Sequence, residues 1–260
     1  MSENFKSTGL PISRAGFGAV AEKLRVFAAD IWAVLTVETR GSGFLTDRRP
    51  LILFERHVFR RHTKGRHDAT HPDLSNARPG GYGPGGAQQY ERLGRALVLD
   101  RTAALKSASW GIGQVMGGNF AMAGYADVET MVDAMVNDED AQLDAMAGFI
   151  DSAGLGPALR AHDWPSFARG YNGRDYAKNH YDTRLAAAHE RFSRGQLPDL
   201  ATRRAQVLLG YLGYQPGPVD GVLGRFTRAA LEDFQADEKL DPSGELDAET
   251  SERLDERALG

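Results

Sequence analysis

A single break in the helical pattern does most to set what this chain can become. From Ser193 to Asp199 the sequence reads Ser-Arg-Gly-Gln-Leu-Pro-Asp, and Gly with Pro after a long helical pattern is how a linker between domains reads. The chain has 260 residues, against roughly 150 for an average domain. The break therefore separates a large unit over residues 1–192 from a small one over 201–260, with 193–200 as linker. Each part has its own apolar periodicity and turn punctuation, so each is expected to bury a core by itself.

Hydrophobic residues make up 42% and charged residues 25% of the chain, which is ordinary globular usage, and no apolar run approaches the roughly 18–20 residues of a membrane span. The chain has no cysteine, which rules out disulfides, thiol nucleophiles and Cys-ligated zinc. Residues 1–16 lack an apolar h-region and a small-residue cleavage site. Synthesis in the cytoplasm without a signal peptide is the expectation.

Net charge is −4, but its distribution says more than its sum. The stretch from Arg40 to Arg66 carries +6 and residues 201–260 carry −5. A basic stretch suits any anionic polymer, so its sign alone selects no partner. The acidic C-terminal part argues against a DNA or membrane anchor, and the expectation is a monomer with neither nucleic acid nor stable membrane association.

Residues 201–260 contain a half-repeat, Gly224-x-x-Thr227-x-x-x-Leu231 and Asp247-x-x-Thr250-x-x-x-Leu254. Each copy reads as a turn and a capped helix, with Asp247 a natural N-cap after the Pro242-Ser243-Gly244 turn. A bundle of three short helices is predicted. In residues 1–192, Leu24, Phe27, Ile31, Val34 and Leu35 mark one buried helix face that ends before Gly41-Ser42-Gly43. Phe44–Thr46 and Leu51–Phe54 flank the polar turn Asp47–Pro50 as a hairpin. Further helices are expected over 88–97, 100–106, 127–150, 165–171 and 176–192. The fold class is mainly α, with one small β-hairpin beside the first long helix.

Glu38 falls at i+3, i+4 and i+7 from Leu35, Val34 and Ile31, so the buried face carries a carboxylate in its last turn. Desolvation and the helix C-terminal dipole both disfavour the anion there. A neutral carboxylic acid aimed into a cleft is what glycosidic cleavage needs, because the leaving alcohol must be protonated as its bond breaks. The structural alternative is an ion pair with Arg40 or Arg25, or an exposed helix end.

Two other segments keep company with Glu38. Ser109-Trp110-Gly111-Ile112-Gly113-Gln114-Val115-Met116-Gly117 is too glycine-rich for a helix interior and too apolar for a solvated loop, which suits backbone lining a cleft. Ala168-Arg169-Gly170-Tyr171-Asn172-Gly173 ends a helix with a hydrogen-bonding Tyr-Asn pair. With Glu38 these resemble the goose-type lysozyme and lytic transglycosylase pattern. Thr39-Arg40-Gly41 replaces the usual Ser-Gly after the acid, and Arg56 to Ser107 is a long insertion.

A fuller match runs through Glu38-Thr39-Arg40-Gly41-Ser42-Gly43-Phe44, Ile52-Leu53-Phe54-Glu55-Arg56-His57-x-Phe59 and Ser107-x-Ser109-Trp110-Gly111-x-x-Gln114-x-Met116-Gly117-x-Asn119. It resembles the N-acetylmuramidase domain of modular phage endolysins. Leu212-Gly213-Tyr214-x-Pro216-Gly217-Pro218-Val219-Asp220-Gly221-x-x-Gly224-x-x-Thr227, with Phe234-Gln235, resembles the three-helix peptidoglycan-binding domain. The resemblance implies a lysozyme-like α+β catalytic head and a wall-binding tail, with peptidoglycan as partner and no cofactor. It implies Glu38 as acid, Ser109, Trp110, Gln114, Tyr171 and Asn172 as substrate-binding residues, and Tyr214, Asp220, Gly221 and Thr227 as residues of the binding tail. Action on the wall from the periplasm follows.

Glu55 is the candidate second carboxylate; a salt bridge to Arg56 or Arg40 that orients the hairpin is the alternative. Asp47 sits where a turn expects Asp. His57, His62, His67 and His71 invite a metal reading, but the steps of five from His57 to His62 and on to His67 turn a helix by about 500° each, which leaves those neighbouring rings off one face. No metal site is expected from them. Trp110 and Trp164 are core residues or, for Trp110, the lining of a sugar subsite. Muramidase action is the leading function, lytic transglycosylase action on the same bond is the runner-up, and a non-catalytic wall-binding phage component is the alternative from another class.

Overall fold

The computed structural model describes residues 4–38, 41–173 and 176–260, with the side chain of Glu38 outside that description. Among the described residues there are thirteen α-helices and one three-stranded antiparallel sheet.

Helix α1, Arg14–Leu24, starts at Ser13, whose hydroxyl accepts from the Gly16 N–H at 2.9 Å. It stops at Arg25, which takes the left-handed conformation at φ 55°. Helix α2, Ala28–Glu38, follows at once. The apolar face predicted from Leu24 onward is thus divided between two helices, and Phe27, in the intervening turn, is 82% exposed. An arginine in the left-handed region gives no warning in sequence, since glycine is the usual occupant there. Helix α2 is buried nearly all round, through Ile31, Trp32, Ala33, Val34, Leu35 and Val37, as befits a central helix.

Strand β1, Ile52–Phe54, pairs with β2, Ala108–Trp110, in the register Ile52 to Trp110 and Phe54 to Ala108; β2 turns back into β3, Val115–Met116. The hairpin predicted over 44–54 closes only as a bridge between Phe44 and Pro50, flanked by Leu51 N–H to Gly43 O at 2.7 Å and Leu45 N–H to Arg49 O at 2.8 Å. Pro50 has no N–H to extend a ladder, so β1 finds its partner beyond the insertion.

That insertion holds α3, Arg56–Thr63, which the sequence pattern did not announce, then α4, Gln88–Leu99, and α5, Arg101–Lys106. The single helix expected over 127–150 is two, α6, Val128–Asn137, and α7, Glu139–Ser152. Asp138 separates them in extended conformation and caps α7 by accepting from the Ala141 N–H at 2.6 Å. Helices α8, Gly156–Arg160, α9, Trp164–Asn172, and α10, Tyr181–Arg194, complete the head around α2.

The C-terminal bundle comprises α11, Leu200–Tyr211, α12, Arg225–Asp237, and α13, Ala248–Leu259. Its own core gathers Leu208, Leu209, Leu231, Phe234 and Leu254. The half-repeat has a physical basis. Gln206 and Gln235 each hold a turn and the following helix: Gln206 Nε2 donates to Asp220 Oδ1, Val222 O and Thr227 Oγ1, and Gln235 Nε2 to Glu245 O and Thr250 Oγ1. Asp247 caps α13 by accepting from the Thr250 N–H at 2.8 Å.

Candidate active site

The segment that follows α2 and the turn after β2 approach each other closely against α7. Gly43 N–H donates to Glu139 Oε1 at 2.7 Å and Ile112 N–H to Gln142 Oε1 at 2.7 Å, so two side chains of α7 hold the segments 41–43 and 111–113. A Cβ on Gly43 or Gly111 would collide with Gln142, and Gly111 also sits at φ 64°. Glycine at these two places is a packing requirement. Arg184 of α10 donates to Val37 O at 3.1 Å, a cation on the carbonyl end of α2.

Glu139 is wholly buried. Burial alone pushes its carboxyl up, but the Arg203 charge, the Arg203 hydrogen bonds and the N–H groups of Gly43 and Ile12 outweigh it and hold the group below its ordinary value. Arg203 belongs to α11 and also donates to Gly41 O at 2.6 Å. The tail therefore reaches the segment that follows Glu38. A cavity of about 180 Å³ beside the last turn of α2 is lined by Leu35, Thr36 and Gly41 from the head and by Arg203, Val219 and Asp220 from the tail. Two further bonds close the junction, Tyr211 O–H to Gly9 O at 2.7 Å and Arg48 Nη2 to Ala258 O at 2.5 Å.

The glycine-rich segment predicted as a cleft wall is the β2–β3 turn. Ser109, Gln114 and Tyr171 are brought together around it: Ser109 O–H donates to Gln114 Oε1 at 2.8 Å, Gln114 Nε2 donates to Gly111 O at 2.8 Å and Leu51 O at 3.2 Å, and Tyr171 O–H donates to Gly113 O at 2.6 Å. Gln114 itself sits at φ 47°. These three side chains fix the turn through the same polar groups that were expected to meet substrate. Asn172 is the last residue of α9, directly before Gly173 at φ 83°.

Trp110 requires correction. It is 0% exposed, its indole N–H donates to Leu105 O at 3.1 Å and its ring lies 5.6 Å from that of Phe5. A ring closed off from solvent cannot stack on a sugar, so Trp110 is core. Trp164, too, is buried.

Glu55 stands at the N-cap position of α3, just past the end of β1, with no capping bond from its side chain. The three residues of β1, four steps of about 3.3 Å or about 13 Å in all, separate it from Leu51, which abuts Gly43. Its carboxylate meets the Tyr82 hydroxyl and His57 Nδ1, each at 3.0 Å. Arg56, one of the partners expected for it, donates instead to Arg78 O and Pro79 O. Arg40, the other, lies outside the described residues, as does Thr39. Glu55 faces a separate cavity of about 320 Å³ lined with Arg61, His62 and Lys106. Burial first, then the Arg61 and Lys106 charges, depress the His62 pKa.

The basic stretch is largely spent within the fold. Arg49 binds Asp47, Arg60 binds Asp68 and Arg66 binds Asp100. In the tail, Thr227 is 2% exposed and donates to Pro216 O, while Asp220 and Gly221 are held by Gln206. These three, offered as binding residues, shape the turn. Tyr214 donates to Asp237 and packs edge-on against Phe234.

Sequence reasoning missed Glu139, Gln142 and Arg203. The signal was present for two of them: Glu139, Gln142 and Met146 follow i, i+3, i+7 spacing, so two polar residues interrupt an apolar stripe.

Residues 28–193 match the family model described as N-acetylmuramidase, and residues 199–254 match a peptidoglycan binding domain model. The crystal structure of a Burkholderia AP3 phage endolysin is similar at 40% identity with a TM-score of 0.65, covering 70% of this chain and 71% of that one. The localization factor PodJL of Caulobacter vibrioides, in two strains, is 48% identical over 50 residues, which is 19% of this chain and only 5% of that protein's length.

Proposed function

The chain belongs to the N-acetylmuramidase family, and from that premise we propose that it hydrolyses the β-glycosidic bond from N-acetylmuramic acid to N-acetylglucosamine in peptidoglycan, with Glu38 as general acid. The observation that carries this reading is the position of Glu38 at the end of a helix buried nearly all round, shortly before the segment 41–43, which Glu139 clamps. The helix dipole disfavours an anion at the carbonyl end, and the protonated carboxyl is the form that delivers a proton to a leaving oxygen. The Gly111–Gln114 turn supplies a rigid wall, and Ser109, Gln114 and Tyr171 serve by keeping it so.

The C-terminal bundle, matched by a peptidoglycan binding domain, holds the enzyme on the insoluble polymer and raises local substrate concentration. Bacteriolytic action of the endolysin kind named for the solved neighbour, on the wall from its periplasmic side, follows from that pairing.

The test is digestion of purified sacculi followed by mass spectrometry of the soluble fragments. Fragments ending in reducing N-acetylmuramic acid are the expected product. Ends lighter by one water, the anhydro form, identify a lytic transglycosylase and overturn hydrolysis; sacculi bound without release of any sugar end overturn enzymatic action altogether.

A further inference from the structure

The four histidines weighed in the sequence do not converge with acidic groups on one point: His57 meets Glu55, His62 lines the basic cavity, and His67 and His71 meet edge-on at 6.3 Å. Three other residues do converge. Asp30 in the first turn of α2, His162 in the turn between α8 and α9, and His189 in α10 place three potential ligand atoms within 4.8 Å of one another. We propose that Asp30, His162 and His189 form a binding site for a divalent late transition ion of the zinc type, separate from the glycan-cutting centre.

The distances suit such an ion. Asp30 Oδ1 lies 2.8 Å from His162 Nε2 and 3.3 Å from His189 Nε2. Ligands of a tetrahedral zinc, each about 2.0–2.1 Å from the metal, stand roughly 3.3 Å apart. Small rotations of the two imidazoles open the shorter edge. The carboxylate is already oriented: Asp30 is 2% exposed at its side chain, and Oδ2 accepts from the Phe27 N–H at 2.8 Å, which leaves Oδ1 to the histidines. A hydrogen bond of that kind behind a ligand fixes its direction and tunes it for metal.

The two rings stand together against an aromatic wall. Their centroids are 4.0 Å apart. Trp164 stacks on His162 at 5.4 Å and an 18° tilt, and lies 5.3 Å from His189, which gives an apolar wall. His162 is 40% exposed at its side chain, which leaves room on the open side for water as fourth ligand.

Asp30 lies eight residues before Glu38 on α2, about 12 Å along the axis. An ion there takes no part in bond cleavage. It ties the start of α2 to the α8–α9 turn and to α10, the elements that pack around the acid-bearing helix.

The experiment uses the full-length, untagged, metal-stripped protein, titrated with Zn²⁺ by calorimetry at pH 7.5 and followed in parallel by thermal melting. One equivalent of zinc with micromolar or tighter affinity and a raised melting temperature is expected. Co²⁺ in its place should give the intense visible bands of a four-coordinate ion. His162→Gln and His189→Gln should each weaken binding at least tenfold while the metal-free melting temperature stays near that of the wild type. Because Asp30 also orders the start of α2, it is left intact. Absence of saturable binding up to millimolar zinc, or undiminished binding in the doubly substituted His162→Gln/His189→Gln protein, overturns the site.

Discussion

Arg203 and Glu139 form an ion pair that crosses from the tail to the head, with Arg203 Nη1 donating to Oε2 at 2.6 Å and Nη2 to Oε1 at 2.9 Å, and side chains only 2% and 0% exposed. The carboxylate also receives the N–H groups of Ile12 and Gly43. Desolvated charges of this kind are tolerated only as a complete set. The segment that follows Glu38 is consequently fixed by a residue of the wall-binding unit.

Removing one member should be much worse than removing both. Arg203→Met is expected to cost about 3–5 kcal/mol, since it strands a buried carboxylate, whereas Glu139→Gln with Arg203→Met should recover most of that loss. Urea unfolding of the three proteins measures it. The same pair bears on the expectation that the two parts fold independently: cutting within 193–200 should leave a head with a markedly lower melting temperature than the full chain. An Arg203→Met protein as stable as the wild type would show that the pair contributes nothing.

The pair also sets an acid limit. The folded Glu139 carboxyl lies below its ordinary value of 4.5, so the stability it contributes is present above about that pH and is lost as pH falls through the folded value. Melting temperature should therefore drop on acidification below about pH 4.5 more steeply in the wild type than in the Glu139→Gln/Arg203→Met protein. Parallel curves would remove Glu139 from the acid response.

Gly111→Ala should fail for two reasons that act together, a positive φ and a Cβ directed into Gln142. A cost of about 1–3 kcal/mol is expected from overpacking, with turnover on sacculi falling because the β2–β3 turn shifts. Gly85, in open space, supplies the control, and its alanine variant should change neither quantity.

Trp110 tests core against subsite. As a buried ring whose N–H is satisfied by Leu105 O, it should give a Trp110→Phe protein with lowered melting temperature and an unchanged KM on soluble glycan fragments. A raised KM at unchanged stability would restore the sugar-platform reading.

The parts of the molecule legible in sequence were those with local causes. Asp247 caps its helix, and the second core follows the apolar spacing of α11 to α13. What could not be read depends on partners distant in the chain. Ile52–Phe54 pairs with Ala108–Trp110 across the whole insertion, and Arg25 ends α1 in a conformation that its side chain does not advertise. The site divides the same way. Periodicity placed Glu38 at the end of α2, but the clamp formed by Glu139, Gln142 and Arg203 brings together residues up to 162 positions apart. A polar side chain inside an apolar stripe hints at such a clamp without naming what it holds. Ser109, Gln114 and Tyr171 lie together in space, where Ser109 donates to Gln114, Gln114 to Gly111 O and Tyr171 to Gly113 O.

The central claim is that Glu38 delivers the proton. The most direct measurement is the rate at which Glu38→Gln releases reducing sugar ends from purified sacculi, beside a wild-type control with a matching melting curve. An amide is isosteric but holds no acidic proton, so the rate should fall by about 10²- to 10⁴-fold. A Glu38→Gln protein that is folded and keeps more than about a tenth of the wild-type rate would contradict the account and require another acid.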